Sequence, residues 1–304
     1  MNDHSTSETP AVAVNTVSKK FCLSLKRSLV YGVQDTIHDL TGRSLASIGL
    51  RKDEFWANHD VSFDVNRGEC VGLIGHNGAG KTTVLKMLNG LIKPDRGSIT
   101  LRGRVGALIA LGAGFNPVLT GRENIFINGA VLGLSRREVE SQFDEIIDFA
   151  EIGDFIDTPV RSYSSGMQVR LGFAVATAMK PDILLIDEVL AVGDLDFRMK
   201  CITRISKLVD SNTAVVLVSH SMTDIQRICN RTIVMDHGRV AFDGDVSAGI
   251  AHYEAIGHRR KKADIASEKQ GLTKGLLLKH FSGSVNGQPI ADLQAISAQT
   301  SNRI

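Results

Sequence analysis

Residues 71–88 read VGLIGHNGAGKTTVLKML. An apolar run, VGLI, leads into GHNGAGKTT (Gly75 to Thr83), which fits the spacing GxxxxGK[ST]. A helix follows, expected to begin near Thr82 and to carry Leu85 and Leu88. Strand, glycine-rich loop and helix is the context this motif requires. The glycines let the backbone of Gly75, His76, Asn77, Gly78, Ala79 and Gly80 curl so that its N–H groups converge as an anion nest at a helix start. Lys81 is then placed to reach the β- and γ-phosphates of a nucleoside triphosphate. Thr82 offers a hydroxyl to Mg2+, and Thr83 extends the same turn. An ordinary glycine turn with a nearby lysine would need neither the strand before nor the helix after.

A second apolar run, DILLIDE (Asp182 to Glu188), ends in two acids. Asp187 at the strand terminus suits a Mg2+ contact, because Mg2+ prefers oxygen ligands and keeps much of its water. Glu188 follows it and is the candidate general base for an attacking water. With Cys70–Ile74 and Ala214–Val218, Ile183–Ile186 completes three runs that read as buried strands. Strands alternating with helices from Asp60 to about residue 245 imply a mostly parallel α/β core. Residues 119–159 break the alternation with helical patterns such as Arg136–Ala150, as a helical subdomain inserted into that core would.

Composition bounds what remains. The chain has 304 residues, and its 35 basic and 33 acidic residues leave a formal net charge of +2, which gives no global nucleic-acid signal. The four cysteines, Cys22, Cys70, Cys201 and Cys229, form no CxxC pair and fit a reduced, cytosolic setting. The N-terminus is polar and lacks the pattern of a signal peptide. No apolar run approaches the roughly 18 to 20 residues of a membrane span. If the chain serves transport, a separate membrane subunit is expected to supply the pore.

One further block decides between families. RSYSSGMQVRLGFAVATA (Arg161 to Ala178) sets a polar Ser/Gly run before an apolar helix, where backbone amides and the Ser164 hydroxyl could meet a phosphate. Together with the two motifs above, this resembles the signature motif of ABC ATPases, with YSSGM (Tyr163 to Met167) where LSGGQ is usual. Ser164 and Gly166 match it; Ser165 and Met167 depart from its commonest form. YSSGM, LGAGFNPVLTGRENI (Leu111 to Ile125) and DEVLAVGDLDFRMKC (Asp187 to Cys201) are similar to ATPases that export lipid-linked polysaccharides such as O-antigen, capsule and teichoic acid. The likeness runs from about Val17 to about Tyr253. An ABC ATPase of another exporter is the alternative. The two-cassette translation type and the coiled-coil repair type fit less well: the chain has one phosphate loop, one signature and no heptad run.

The resemblance implies a P-loop fold with a mostly parallel sheet, an antiparallel β edge and an inserted helical subdomain. It implies ATP and Mg2+ as ligands, hydrolysis of ATP coupled to transport, a homodimer lying peripherally on the cytoplasmic face of the inner membrane, and an integral-membrane permease that carries the polysaccharide-lipid. Ser164, Ser165 and Gly166 would contact nucleotide held by the opposite subunit. His220, in VSH (Val218 to His220), matches the switch histidine at the γ-phosphate, and Asp194 matches the acidic residue of the dimer-spanning D-loop. Adenine would stack on an aromatic upstream of the phosphate loop: Phe21, with Phe55 and Trp56 as rivals. The glutamine usual before the helical subdomain is missing, since the region reads ALIALGAGF with Ala110 and Leu111 near its place.

These readings divide the chain into a disordered start (1–11), an ATPase domain (12–257) and a short appendage (258–304), too short for a β-sandwich of about 100 residues. Within the domain, the helical subdomain covers about 119–180 and an insertion about 22–53. That insertion holds Leu25, Leu29, Val33, Ile37 and Leu40 at near-helical spacing, with Ser24 as a candidate N-cap. The stripe either packs on the chain's own core or docks on the permease or the membrane surface.

Overall fold

The computed structural model describes residues 9–40, 49–108, 115–187 and 194–260, and the backbone of residues 284–285 and 288–289; side chains of 36–40 are outside it. Two units divide the chain, Met1–Glu254 and Ala255–Ile304.

The first unit is built around one helix between two sheets. β1 (Val12–Cys22) pairs antiparallel with β2 (Glu54–Val65) and with β4 (Arg96–Leu101), giving a three-stranded sheet in the order β2-β1-β4. The main sheet has six strands in the order β5-β6-β7-β3-β8-β9. They are β3 (Cys70–Gly75), β5 (Val105–Leu108), β6 (Ile183–Asp187), β7 (Ala214–Val218), β8 (Arg231–Asp236) and β9 (Arg239–Gly244). β5, β6, β7, β3 and β8 run parallel, and β9 returns antiparallel at the edge. The anticipated antiparallel portion is therefore larger than one edge, because β1, β2 and β4 form a sheet of their own.

Burial explains the runs read from sequence. β3 and β7 are buried at every position, as parallel strands covered on both faces must be. On one face lies α2 (Lys81–Leu88), whose Val84, Leu85 and Leu88 enter one cluster with Val14, Val61 and Phe63 of the smaller sheet and Leu73, Leu185 and Val216 of the larger. On the other face α7 (Met222–Ile228) approaches so closely that a Cβ on Gly72 would meet Ile225 at 2.9 Å.

The helical subdomain has its own core. α3 (Gly121–Val131) and α4 (Arg136–Ala150) each begin with a capping box, Thr120 with Glu123 and Ser135 with Glu138. Ile125, Val139 and Ile146 pack against Leu171, Ala174 and Val175 of α5 (Ser165–Ala178). α6 (Leu195–Asp210) follows the segment after β6. A helix over residues 246–260 carries Val246 and Ile250 into buried positions.

One sequence reading needs correction, and an open alternative narrows. The expected disordered start extends too far: Ala11 is fully buried, and Arg102 holds the carbonyls of Pro10 and Ala11. Residues 1–8 lie outside the described residues. The insertion does form a helix, α1 (Leu25–Leu40), with the Ser24 carbonyl accepting the first N–H, from Ser28. The described part of its stripe, Leu25, Leu29 and Val33, does not enter the core. Leu25 is 77%, Leu29 66% and Val33 62% exposed, beside exposed Leu23 and Val30. α1 is tied back instead by polar contacts: Arg27 pairs with Asp53, Asp35 takes both guanidinium ends of Arg51 at 2.8 Å, and Tyr31 lies under that guanidinium.

Such half-exposed ion pairs contribute about 0–1 kcal/mol each. Replacing residues 24–50 with a short Gly/Ser linker removes both pairs and should therefore shift Tm by less than about 8 °C, since 1 kcal/mol corresponds to about 2–4 °C in a domain of this size. Differential scanning fluorimetry checks it; a fall of 10 °C or more would mean that the stripe is part of the core after all.

Candidate nucleotide site

The site lies at the C-terminal ends of the central parallel strands, where open α/β sheets bind ligands. Strand register fixes who meets there. Leu73 of β3 pairs with Val218 of β7, and Val218 pairs with Asp187 of β6. Asp187 thus ends its strand level with the position two residues before His220 on one neighbour, and two residues before Gly75 on the next.

From Gly75 the loop turns into α2, with Gly80 at its N-cap in the left-handed region (φ 100°). The first helical residue is Lys81, one position earlier than the expected Thr82. Lys81 is buried, and its Nζ donates to the carbonyls of Gly75 at 2.7 Å and His76 at 3.1 Å. An ammonium held over the loop by its own carbonyls sits where phosphate oxygens would replace them. Thr82 is exposed at the same helix start.

The loop is seated by one side-chain amide and by neighbouring backbone. The Gly80 carbonyl accepts from Nδ2 of buried Asn58 in β2. The turn between β8 and β9 closes the other side: Gly238 N–H donates to the Ala79 carbonyl at 3.1 Å, and the Gly238 carbonyl accepts from His59 N–H at 2.8 Å. His76 Nε2 stands 2.9 Å from Asp236 Oδ1, and its ring meets His237 edge-on. Sequence reasoning passed over Asn58, Asp236, His237 and Gly238. The only signal for them was the turn pair His237-Gly238 closing an apolar strand.

A cleft of about 480 Å3 opens here, walled by Asn77 to Thr83, Phe21, Phe55, Trp56, Ala57, His237 and Gly238. All three candidate aromatics line it. Phe21 and Phe55 are cross-strand partners with ring centroids 6.4 Å apart, and they are 40% and 42% exposed. Trp56 is engaged elsewhere, by the edge of His59 at 5.2 Å and by the Arg96 guanidinium over its ring. Phe21, with the Lys19 ammonium 5.9 Å from its ring centre, and Phe55 offer the more exposed aromatic surface.

The remaining site residues do not line this cleft. Ser164 caps α5, accepting the Met167 N–H at 3.2 Å, so Ser165 and Gly166 form the first turn of that helix and do not precede it. All three are reachable from solvent. His220 is exposed after β7. Asp194 caps α6 through Oδ1, with Phe197 N–H at 2.8 Å; that amide, and then Arg170, holds its carboxyl below the usual carboxylate range. Glu188, Ala110 and Leu111 fall outside the described residues.

The donor set fits Mg2+. Thr82 and Asp187 offer a hydroxyl and a carboxylate, both hard oxygens. Among the described residues no three His, Cys, Asp or Glu side chains converge as metal ligands. A cation here would complete its shell with phosphate oxygens and water, as Mg2+ does in nucleotide sites.

The family model for ABC transporters matches residues 58–191. The O-antigen export system ATP-binding protein RfbB of Klebsiella pneumoniae is 43% identical over 246 residues, which are 81% of this chain and 98% of that protein. The chain belongs to the ABC transporter family, as an ATP-binding subunit. Two other ABC relatives are longer than the region shared. The ABC transporter protein AbcA of Aeromonas salmonicida is 48% identical over 67% of this chain and 66% of its own length. The teichoic acids export ATP-binding protein TagH of Listeria innocua is 41% identical over 67% of this chain and 61% of its own length. The ABC fold is equally plain in solved structures. An ATP-binding subunit of an ABC transporter superposes with TM-score 0.63 at 22% identity, over 77% of this chain and 90% of that one. A dimeric cassette with ADP and phosphate superposes with TM-score 0.62 at 21% identity, over 77% and 98%.

Two loop glycines separate seating from binding. A Cβ on Gly80 would meet Asn58 Nδ2 at 2.4 Å and the Ala57 carbonyl at 2.6 Å, whereas at Gly78, also at positive φ, it would meet nothing within 4 Å. Gly80→Ala should lower Tm by several degrees, from strain of about 1–3 kcal/mol. Gly78→Ala should cost only about 1–2 kcal/mol of left-handed backbone strain. It should nevertheless weaken ATP binding tenfold or more, because its methyl occupies space that phosphate needs. Melting curves and titration with a fluorescent ATP analogue measure both effects; equal losses of Tm would refute the assignment.

Proposed function

We propose that this chain hydrolyses ATP to drive export of a lipid-linked polysaccharide, of the O-antigen, capsular or teichoic-acid kind, through a separate permease in the cytoplasmic membrane. The names of its relatives support the substrate class. No helix among the described residues is long and apolar enough to cross a membrane, which fits a subunit that works beneath another chain.

The observation that carries the mechanism is a separation. The cleft walled by Asn77 to Thr83 and the aromatics contains no residue of the Ser164–Gly166 turn. A γ-phosphate seated on Lys81 would thus find the Ser164 hydroxyl and the first amides of α5 only on a second copy. Two chains in head-to-tail contact would each contribute one half of two sites, an isologous C2 arrangement. Asp194, exposed at the start of α6, belongs to the same contact.

Phe21 and Phe55 take the adenine. The loop amides and Lys81 take the phosphates. Thr82 and Asp187 would hold Mg2+, which would supply neutralisation of phosphate charge when bound. Glu188 accepts the proton of the attacking water, and His220 steadies the γ-phosphate. Positioning and charge stabilisation dominate this chemistry. The exposed face of α1, with Lys26 and Arg27 near its start, is the contact to the permease or to the anionic leaflet, where each basic residue contributes about 1 kcal/mol.

Two experiments test these roles. Glu188→Gln keeps shape but cannot accept a proton, so it should retain ATP binding, lose about 10²-fold or more of turnover, and accumulate an ATP-bound dimer on size exclusion. Turnover within threefold of wild type would remove Glu188 from the mechanism. The chain with residues 24–50 replaced should keep basal hydrolysis but lose its permease in a pull-down, and undiminished co-purification would end the docking role of α1.

A further inference from the structure

Three helices of the ATPase unit meet at one side chain. Arg170 lies on α5, one turn beyond Gly166. Its Nη1 donates to Glu151 Oε2 at 2.6 Å and its Nη2 to Asp194 Oδ2 at 2.7 Å. The guanidinium lies 4.7 Å from the centre of the Phe197 ring on α6. Glu151 is the left-handed C-cap of α4, and Asp194 is the N-cap of α6. Beneath the guanidinium, Phe149 of α4, Phe173 of α5 and Phe197 of α6 form a closed aromatic triad with centroids 5.6, 5.7 and 6.4 Å apart.

None of these helices needs Arg170 for its own cap. Asp194 caps α6 with its other oxygen, Ser164 caps α5, and Glu151 keeps a second partner in Lys200. What Arg170 adds is a link between helices. It fixes the first turns of α5, which carry Ser164 and Gly166, against Asp194, six residues beyond Glu188 in the chain.

We infer that Arg170 is a positioning residue for hydrolysis, coupling the α5 turn that faces the partner's nucleotide to the Asp194 end of the segment that bears Glu188. The guanidinium touches no reacting atom. It holds the α5 turn that carries Ser164 against the Asp194 cap of α6, two groups that the composite-site reading assigns to different parts of the dimer contact. This rests on the composite-site reading above. Its signature is a loss in kcat without a matching loss in ATP affinity, because the phosphate loop and the aromatics stay untouched.

The test uses the full chain. Arg170→Met keeps the aliphatic stem over Phe197 and removes the charge; Arg170→Lys keeps a charge able to reach one carboxylate. Arg170→Met should lower kcat about tenfold or more, as small displacements of reacting groups do. Its affinity for a fluorescent ATP analogue should stay within twofold and its Tm within a few degrees, since exposed ion pairs add little stability. Arg170→Lys should recover part of the rate. Asp194→Asn should also slow turnover, and the double variant Arg170→Met/Asp194→Asn should be no slower than the slower single one. A kcat within twofold of wild type for Arg170→Met, no rescue by Lys, or fully multiplicative losses would each overturn the inference. If Arg170→Met does not fold, Asp194→Asn and Arg170→Lys decide it by the same limits. Wild-type turnover measured alongside separates the two readings: without it the ATPase assignment falls and this inference with it, whereas an active wild type matched by Arg170→Met removes the inference alone.

Discussion

The phosphate loop keeps its shape because three stretches of backbone press together, with the Asn58 amide as the one side chain bonded between two of them. Gly80 lies against Ala57 and Asn58 of β2, Gly238 lies against Ala57 from the β8–β9 turn, and a Cβ on Gly75 would meet the Met235 carbonyl at 2.4 Å. The loop is thus pinned between the antiparallel sheet and the far end of the parallel one, before any ligand arrives. Pre-organisation of this kind means that ordering the loop is settled during folding and not on binding. It also explains why a large core surrounds a small site: α2 must bury Val84, Leu85 and Leu88 between both sheets to hold Gly80 in place.

The second half of the chemistry hangs on a different scaffold. α3, α4 and α5 share a core of their own, and α5 joins the sheet unit through the Phe149, Phe173 and Phe197 triad. The Ser164 turn is thereby carried at the end of a semi-independent helical body, while Lys81 is fixed to the sheet. Lys81 and the Ser164 turn are thus placed by two different cores, one between the sheets and one among α3, α4 and α5. Around the aromatic triad, Arg170 and Lys200 join α5 and α6 to Glu151 at the end of α4 through ion pairs.

Much of this was legible in the sequence, and the exceptions have physical causes. Buried parallel strands such as Cys70–Ile74 and Ala214–Val218 announce themselves because both faces are covered, so no alternation dilutes the apolar run. The phosphate loop reads equally well because glycine spacing reports backbone conformation directly. By contrast, Asn58, Asp236 and Gly238 reach the loop from strands that are distant in sequence, and no local pattern records a long-range backbone contact. The α1 stripe shows the opposite limit. Periodicity at Leu25, Leu29 and Val33 specified a helix and an apolar face correctly, but periodicity cannot say what covers that face, and here the chain's own core does not. The Ser/Gly run that the sequence sets before an apolar helix lies partly inside α5, at Ser165 and Gly166, because the Ser164 cap moves the helix start into the polar run.

The central claim is that each nucleotide is held by Lys81 of one chain and by the Ser164 turn of another. Mixing two inactive variants tests it most directly. Lys81→Ala disables the loop of one copy and Ser164→Arg the capping turn of the other, so a heterodimer has one site in which both halves are intact. At equal mixing, ATP hydrolysis should rise from near zero in either variant alone to roughly a quarter of wild type, since half the dimers carry one good site of two. A mixture no more active than its separate components at any ratio would contradict a composite site.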